Sequence, residues 1–194
     1  MIEPIINRVE ESDILVFNLE EFWDGHPIEE LDIEPFLLEG LVVREKLFRE
    51  KVRDFDWEQF EDAHVAVFCS TDAIIPTWAF MLIASRLEGI ARSVTVGRKE
   101  DLIREHFARA LAEADLEEYR DRPVVVKGCG SKIVPPSAYV AATRRLQEVA
   151  SKLMYGEPCS SVPLWRKAAE KATAEARPAG VKKPAIPASL QRDA

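Results

Sequence analysis

The chain has 194 residues, enough for one domain with a tail, and 47% of them are hydrophobic, a share typical of proteins that bury a core. The formal net charge of −8 is unevenly spread: residues 166–194 hold seven Lys/Arg against three Asp/Glu, so residues 1–165 carry the other 19 and 31, a net −12. An acidic body repels phosphate backbones, which excludes nucleic-acid binding by the folded part.

Hydropathy along the chain argues against a membrane protein. No apolar run approaches the ~20 residues that cross a bilayer. The first residues, Met-Ile-Glu-Pro-Ile-Ile-Asn-Arg, lack a basic region followed by an apolar one, so no secretory signal is visible. We therefore expect a cytoplasmic protein, whose thiols stay reduced. The sequence does not indicate an oligomeric state.

Strand-like and helix-like stretches alternate along the chain. Short apolar runs rich in β-branched residues predict strands at 14–17, 65–68, 93–96 and 123–126. Apolar residues at three- and four-residue steps predict helices at 33–41, 45–55, 77–88, 99–114 and 136–153. Continuous apolar strands separated by helices predict an α/β fold, with one open, mainly parallel sheet covered by helices on both faces.

The composition divides the chain near residue 165. We expect a single α/β domain over residues 1–165 and a basic, Ala/Pro-rich tail over 166–194 that is mostly disordered. Within the domain, the helix at 77–88 is apolar almost all round, which predicts deep burial with Trp78, Phe80 and Met81 in the core.

The three cysteines each lead a small polar turn that ends in Ile/Val-Pro. Cys69 precedes Ser-Thr-Asp-Ala-Ile-Ile-Pro, Cys129 precedes Gly-Ser-Lys-Ile-Val-Pro, and Cys159 precedes Ser-Ser-Val-Pro. Cys69 and Cys129 also follow predicted strands, at the carboxyl edge where open α/β sheets bind ligands. A helix beginning just after each of them would favour the thiolate through its N–H groups and dipole.

Three convergent thiolates suit a soft metal or an iron–sulfur cluster, and they leave one ligand position open. The sequence therefore predicts an iron–sulfur cluster or zinc held by Cys69, Cys129 and Cys159. The polar residues expected to support this site are Ser70, Thr71, Asp72, Lys127 and Ser160. The chain has no Cys-x-x-Cys clamp, and free cysteines often fill space at strand ends, so packing together with a reactive thiol stays open as a second interpretation.

The histidines add little to this cysteine site. His64 lies five residues before Cys69, so it is roughly 17 Å away on the other face and is not a co-ligand. His106 falls on an apolar helix face, which is typical of a hydrogen-bonded core or edge histidine. His26, in a Gly-His-Pro loop, is the free candidate for a fourth ligand. Asp72 could serve the site, although capping the next helix is the commoner role for an aspartate in such a turn.

Three stretches carry a resemblance to a known family. They are residues 69–81 (Cys-Ser-Thr-Asp-Ala-Ile-Ile-Pro-Thr-Trp-Ala-Phe-Met), 126–129 (Val-Lys-Gly-Cys) and 154–164 (Met-Tyr-Gly-Glu-Pro-Cys-Ser-Ser-Val-Pro-Leu). The chain resembles uncharacterised bacterial proteins catalogued as domain of unknown function 2480, over residues about 5–165. The family has no established activity. The resemblance implies a link to iron–sulfur cluster assembly through gene neighbourhoods, with assembly proteins as partners.

Three hypotheses of function follow. The first is a metal- or iron–sulfur-cluster-binding accessory protein that uses the three cysteines. The second is a thiol-dependent enzyme or sulfur carrier with Cys69 or Cys129 as nucleophile, helped by Lys127 and Asp72. The third is a protein-interaction module without chemistry, which binds through the sheet edge or the tail.

Overall fold

The computed structural model describes residues 13–128 and 130–168. The strands of these residues are β1 (Leu15–Asn18), β2 (Ile28–Asp32), β3 (His64–Phe68), β4 (Ser93–Val96), β5 (Pro123–Lys127), β6 (Lys152–Glu157) and β7 (Ser160–Arg166). The α-helices are α1 (Glu45–Asp54), α2 (Thr77–Leu87), α3 (Lys99–Glu113) and α4 (Pro136–Gln147). Short 3₁₀ helices lie at Leu19–Phe22, Glu34–Phe36, Glu58–Phe60 and Glu117–Tyr119.

The strands form two sheets, not the one sheet that the sequence predicts. The four-stranded sheet has the order β1-β5-β6-β7, and the three-stranded sheet has the order β2-β3-β4. Neighbouring strands run parallel except for β7, which pairs antiparallel with β6. The predicted α/β class with mainly parallel strands is thus confirmed, and helices or longer connections join the parallel strands as such pairing requires.

Each sheet has its own hydrophobic core, and α3 connects the two. Phe48, Val52 and Ile83 are fully buried against the three-stranded sheet. Phe107 and Leu146 are fully buried against the four-stranded sheet. The helix α3 contacts all three strands of one sheet and also α4, which covers the other. The region between the sheets is therefore lined by α3 on one side, and the candidate site described below lies there.

The helix α2 is less buried than its composition suggests. Ala79, Ile83 and Leu87 are buried, which is one helical face. The predicted core residue Met81 is 67% exposed, while Trp78 and Phe80 are half-buried against the core. The prediction of all-round burial is therefore wrong, because only one side of α2 has the sheet to pack against.

The carboxyl end of the domain also differs from the prediction. The helix predicted over 136–153 ends at Gln147, and the chain then forms the β6–β7 hairpin, which the sequence analysis did not predict. Leu146, Ala150 and Leu153 are all buried at a helix-like spacing, which explains the overlong prediction. Parallel pairing of β6 with β5 overrides the local preference. Residues 1–12, Cys129 and most of the predicted tail, from 169 on, lie outside the described residues, so the predictions on them stay predictions.

Candidate metal centre

The chain's three histidines, His26, His64 and His106, lie close together, and Trp23 packs against two of them. The ring centroids of His64 and His106 are 5.1 Å apart, and those of His26 and His64 are 6.2 Å apart. The indole of Trp23 lies 5.1 Å from His64 and 4.6 Å from His106. Histidines from three separate segments therefore share one small volume, next to the carboxylate of Asp24.

Backbone pairing brings these segments together. His64 is the first residue of β3, and its backbone N–H donates to the carbonyl of Pro27 at 2.9 Å. Asp24 lies in the turn between the first 3₁₀ helix and β2, where Gly25 adopts a positive φ of 81° that favours glycine. The backbone N–H of His26 donates to Asp24 Oδ1 at 3.2 Å and closes an Asx-type turn. The turn thus holds the Asp24 carboxylate over the start of β3.

His64 is 2% exposed and uses both ring nitrogens. Its Nε2 lies 2.9 Å from Asp24 Oδ1 and 3.0 Å from Oδ2, and its Nδ1 lies 2.8 Å from Ser93 Oγ. Partial burial alone would raise the pKa of Asp24, but the hydrogen bonds from His64 and from the His26 backbone outweigh it and hold the pKa below its ordinary value. Asp24 is therefore an ionised carboxylate at neutral pH.

His106 offers a nitrogen that nothing in the described chain satisfies. Its Nε2 lies 2.8 Å from the carbonyl oxygen of Phe22. A carbonyl only accepts hydrogen bonds, so Nε2 carries a proton, and in the neutral form of the ring Nδ1 keeps a free lone pair. This Nδ1 atom is buried and has no hydrogen-bond partner among the described residues. Buried polar atoms are normally paired, so an orphan acceptor of this kind requires an explanation.

The three side chains approach the geometry of a metal site. One ligand atom each from Asp24, His64 and His106 lies within 4.8 Å of the other two. In a tetrahedral zinc site with bonds near 2.0–2.1 Å, neighbouring ligand atoms are about 3.3 Å apart. The Asp24–His64 pair is already at 2.9 Å, so a bound ion would draw only the wider contacts inward, by at most about 1.5 Å.

The structure places Cys69 away from this cluster, immediately after β3 at the opposite end of the strand. Its Sγ lies 3.3 Å from Thr71 Oγ1, and that hydroxyl donates to the Gly40 carbonyl at 2.7 Å. The helix α2 begins at Thr77, the residue that the sequence predicts, and eight positions separate this residue from Cys69, so the helix does not directly follow the cysteine.

Ser70 and Asp72 lie in the same turn, and their supporting role at a cysteine site stays a prediction. The backbone N–H of Ser70 donates to Asp32 at 3.0 Å, which together with the Ser70 side chain offsets burial and lowers the pKa of Asp32. The helix α2 has no side-chain cap, so the interpretation of Asp72 as its cap is wrong.

Cys159 lies at the tip of the β6–β7 hairpin, exposed and free, one residue before Ser160 begins β7. Lys127, at the end of β5, pairs with Glu157 at the end of β6 with Nζ and Oε1 3.1 Å apart. Cys129 lies outside the described residues. The described part of the chain yields one metal-competent group, which contains neither Cys69 nor Cys159, and the three-cysteine site stays a prediction.

Sequence reasoning missed the histidine cluster because it assessed each histidine alone. Its ligands lie 40 and 42 positions apart, at 24, 64 and 106, with no local spacing that marks a metal motif. The one local signal is the Asp-Gly-His-Pro turn at 24–27, a polar turn with an acid and an imidazole next to each other. Only the pairing of β2 with β3 and the packing of α3 bring His64 and His106 to it.

The fold and the site define a mainly parallel α/β protein with a two-histidine, one-carboxylate cluster between its sheets. A family model described as "Protein of unknown function (DUF2480)" matches residues 3–167, and the chain belongs to this family. No curated protein and no solved structure matches it. No helix within 13–128 and 130–168 has the length and hydropathy to cross a membrane.

Proposed function

We propose that this protein binds a divalent transition-metal ion through Asp24, His64 and His106. The observation that carries the proposal is that His106, whose buried Nδ1 has no partner among the described residues, belongs to the same group as a buried imidazole and an ionised carboxylate. A buried acceptor without a hydrogen-bond partner lowers the stability of the fold by about 1–3 kcal/mol, and a bond to a metal ion would remove this penalty.

The donor set indicates the class of ion. Two imidazoles and one carboxylate are the ligands of non-haem ferrous sites and of many catalytic zinc sites, and they leave positions open for water or substrate. In this structure His64 donates its Nε2 proton to Asp24, so metal binding would require the tautomer with the proton on Nδ1. Ser93 would favour that tautomer, because its Oγ can accept the Nδ1 proton and leave Nε2 for the metal. With zinc or ferrous iron bound, the ion supplies Lewis acidity at the open positions.

A second candidate function is nucleophilic catalysis by Ser93. Asp24, His64 and Ser93 form a continuous hydrogen-bonded chain, with His64 between carboxylate and hydroxyl as in a hydrolase triad. This arrangement leaves the His106 nitrogen unexplained, so we place it second. Covalent labelling by a fluorophosphonate that disappears in Ser93→Ala would favour it over metal binding.

The cysteine hypothesis and the cellular setting stand beside the metal proposal. An iron–sulfur cluster or zinc on Cys69, Cys129 and Cys159 is a proposal from the three similar cysteine turns in the sequence. Iron–sulfur assembly proteins as partners are a proposal from the family resemblance. The thiols of Cys69 and Cys159 are unpaired, which supports our proposal of a reducing, cytoplasmic location.

The test is equilibrium binding of Co²⁺, followed by its visible absorption bands, with Asp24→Asn as the variant. We expect one ion per chain in the wild type and an affinity loss beyond the 10–100-fold that outer-shell partners cost. Asp32→Asn is the matched control, because Asp32 is also a hydrogen-bonded carboxylate with a lowered pKa but lies at the far end of β2. Equal affinity in wild type and Asp24→Asn would refute the proposal.

A further inference from the structure

Arg92 lies beside the candidate metal site, at the edge of the three-stranded sheet where β3 and β4 begin. It immediately precedes β4, and its backbone N–H donates to the carbonyl of Ala63 at 2.8 Å, next to His64. The following residue, Ser93, holds the Nδ1 of His64. The Arg92 guanidinium contacts Nε2 of His26 through Nη2. Arg92 is therefore held near His64 by its own backbone and by Ser93, and its side chain contacts His26.

The charge of Arg92 is weakly compensated. Its hydrogen bond to His26 goes to a neutral imidazole nitrogen, since a protonated ring could not accept it. Its carboxylate neighbour in the described residues is Asp62, whose Oδ1 lies 3.8 Å from Nε and whose side chain is 75% exposed. A pair of this length at the surface contributes little. The guanidinium thus keeps N–H donors for an anion.

The metal site itself would carry excess positive charge. A divalent ion with neutral imidazoles and the Asp24 carboxylate is left with a net charge of about +1. Arg92 adds another positive charge nearby. The Asp24 side chain is 40% exposed and that of Arg92 is 47% exposed, so both can be reached from solvent, whereas the His64 side chain is 3% exposed.

We infer that the open metal positions take a small oxyanion, a carboxylate or a tetrahedral anion, which Arg92 binds from the other side. One oxygen of the anion ligates the metal while a second accepts from the guanidinium fork, whose planar donors match such groups. His26 positions this fork through its Nε2. The inference rests on the proposed metal function and names the class of substrate or co-ligand for the same site.

The test uses the full-length protein saturated with Co²⁺, titrated with sodium acetate and separately with sodium sulfate. We expect a saturable shift of the Co²⁺ absorption bands in the wild type. In Arg92→Ala the anion concentration at half-saturation should rise at least tenfold. Arg98→Ala is the matched control, because Arg98 has a similarly exposed side chain (52%) but lies beyond the other end of β4. Acetamide, the neutral analogue of acetate, should cause no shift.

The outcomes separate the two proposals. Wild-type protein that binds no Co²⁺ overturns the metal function, and the inference with it. Three results overturn the inference alone. The absorption bands of the Co²⁺-bound protein do not shift with either anion, or they shift equally with acetamide. Alternatively, the half-saturating anion concentration is the same in Arg92→Ala as in the wild type. A loss confined to Arg92→Ala supports it, and the tighter of acetate and sulfate then identifies the class of oxyanion.

Discussion

Replacement of His106 by glutamine tests the orphan nitrogen directly. A glutamine amide can still donate to the Phe22 carbonyl, as Nε2 of His106 does at 2.8 Å, but it has no counterpart of the imidazole Nδ1. The variant therefore preserves the hydrogen bond that holds the side chain and replaces the imidazole Nδ1 by an amide oxygen in a different position. We expect metal-free stability to change by less than about 1 kcal/mol, because the hydrogen bond to Phe22 is kept and one buried acceptor is exchanged for another.

The metal-bound protein should behave differently. At an ion concentration of about 100 times Kd, binding adds about 2.7 kcal/mol to the stability of the wild type. For a domain of this size each kcal/mol raises Tm by about 2–4 °C, so zinc should raise the wild-type Tm by about 5–11 °C. His106→Gln should show less than a quarter of that shift at the same zinc concentration, because one of three ligands is missing.

Differential scanning calorimetry with zinc or with excess EDTA measures both quantities. His106→Asn is the complementary control: its shorter amide loses the donor to Phe22, so it should lower metal-free stability by about 0.5–1.5 kcal/mol. An equal zinc-induced rise of Tm in the wild type and in His106→Gln would refute the assignment of Nδ1 as a ligand. It would leave the cluster as a structural hydrogen-bond network.

Three other expectations concern charge, packing and thiols. Because the folded protein lowers the pKa of Asp24, the ionised carboxylate stabilises the fold at pH values above its unfolded-state pKa of about 3.9. This stabilisation is lost as the pH falls through the lower pKa of the folded state. Urea unfolding of the metal-free protein should therefore show a higher free energy of unfolding for the wild type than for Asp24→Asn at pH 6, and a smaller difference at pH 3. Ile83→Ala should cost about 2–5 kcal/mol in urea unfolding and Met81→Ala less than about 0.5 kcal/mol, because the first side chain is fully buried and the second is 67% exposed; equal costs would contradict the one-sided packing of α2. If the cysteines hold an iron–sulfur cluster, anaerobically purified protein should contain iron and acid-labile sulfide that Cys159→Ser loses, and identical contents in both would count against that hypothesis.

Local pattern was sufficient for much of the secondary structure. The predicted helices at 45–55, 77–88 and 99–114 each begin at the observed first residue and end within one residue of the observed last one. Their apolar spacing and flanking turns are properties of contiguous residues, which sequence reasoning uses well. The strand β2 escaped detection because its residues, Ile-Glu-Glu-Leu-Asp, are mostly polar, as suits an edge strand.

The site was harder to predict than the elements that carry it. The cysteines drew attention because their turns look alike in sequence, whereas the histidines have no shared local context. His106 was expected to be a hydrogen-bonded histidine at the core or its edge, and its Nε2 does bond a backbone carbonyl. Nothing in the sequence indicated that this imidazole lies within 4.8 Å of Asp24 and His64 or that its other nitrogen has no partner among the described residues.

The sequence by itself determined the α/β class, the parallel strands and the acidic body, because runs of adjacent residues encode periodicity, apolar content and charge. Only the tertiary structure decided that the strands divide into two sheets and that Asp24, His64 and His106 meet between them. The physical reason is that strand pairing and helix packing bring together residues some 40 positions apart through many weak contacts. The total free energy of these contacts depends on the whole chain and cannot be read from a short stretch of sequence.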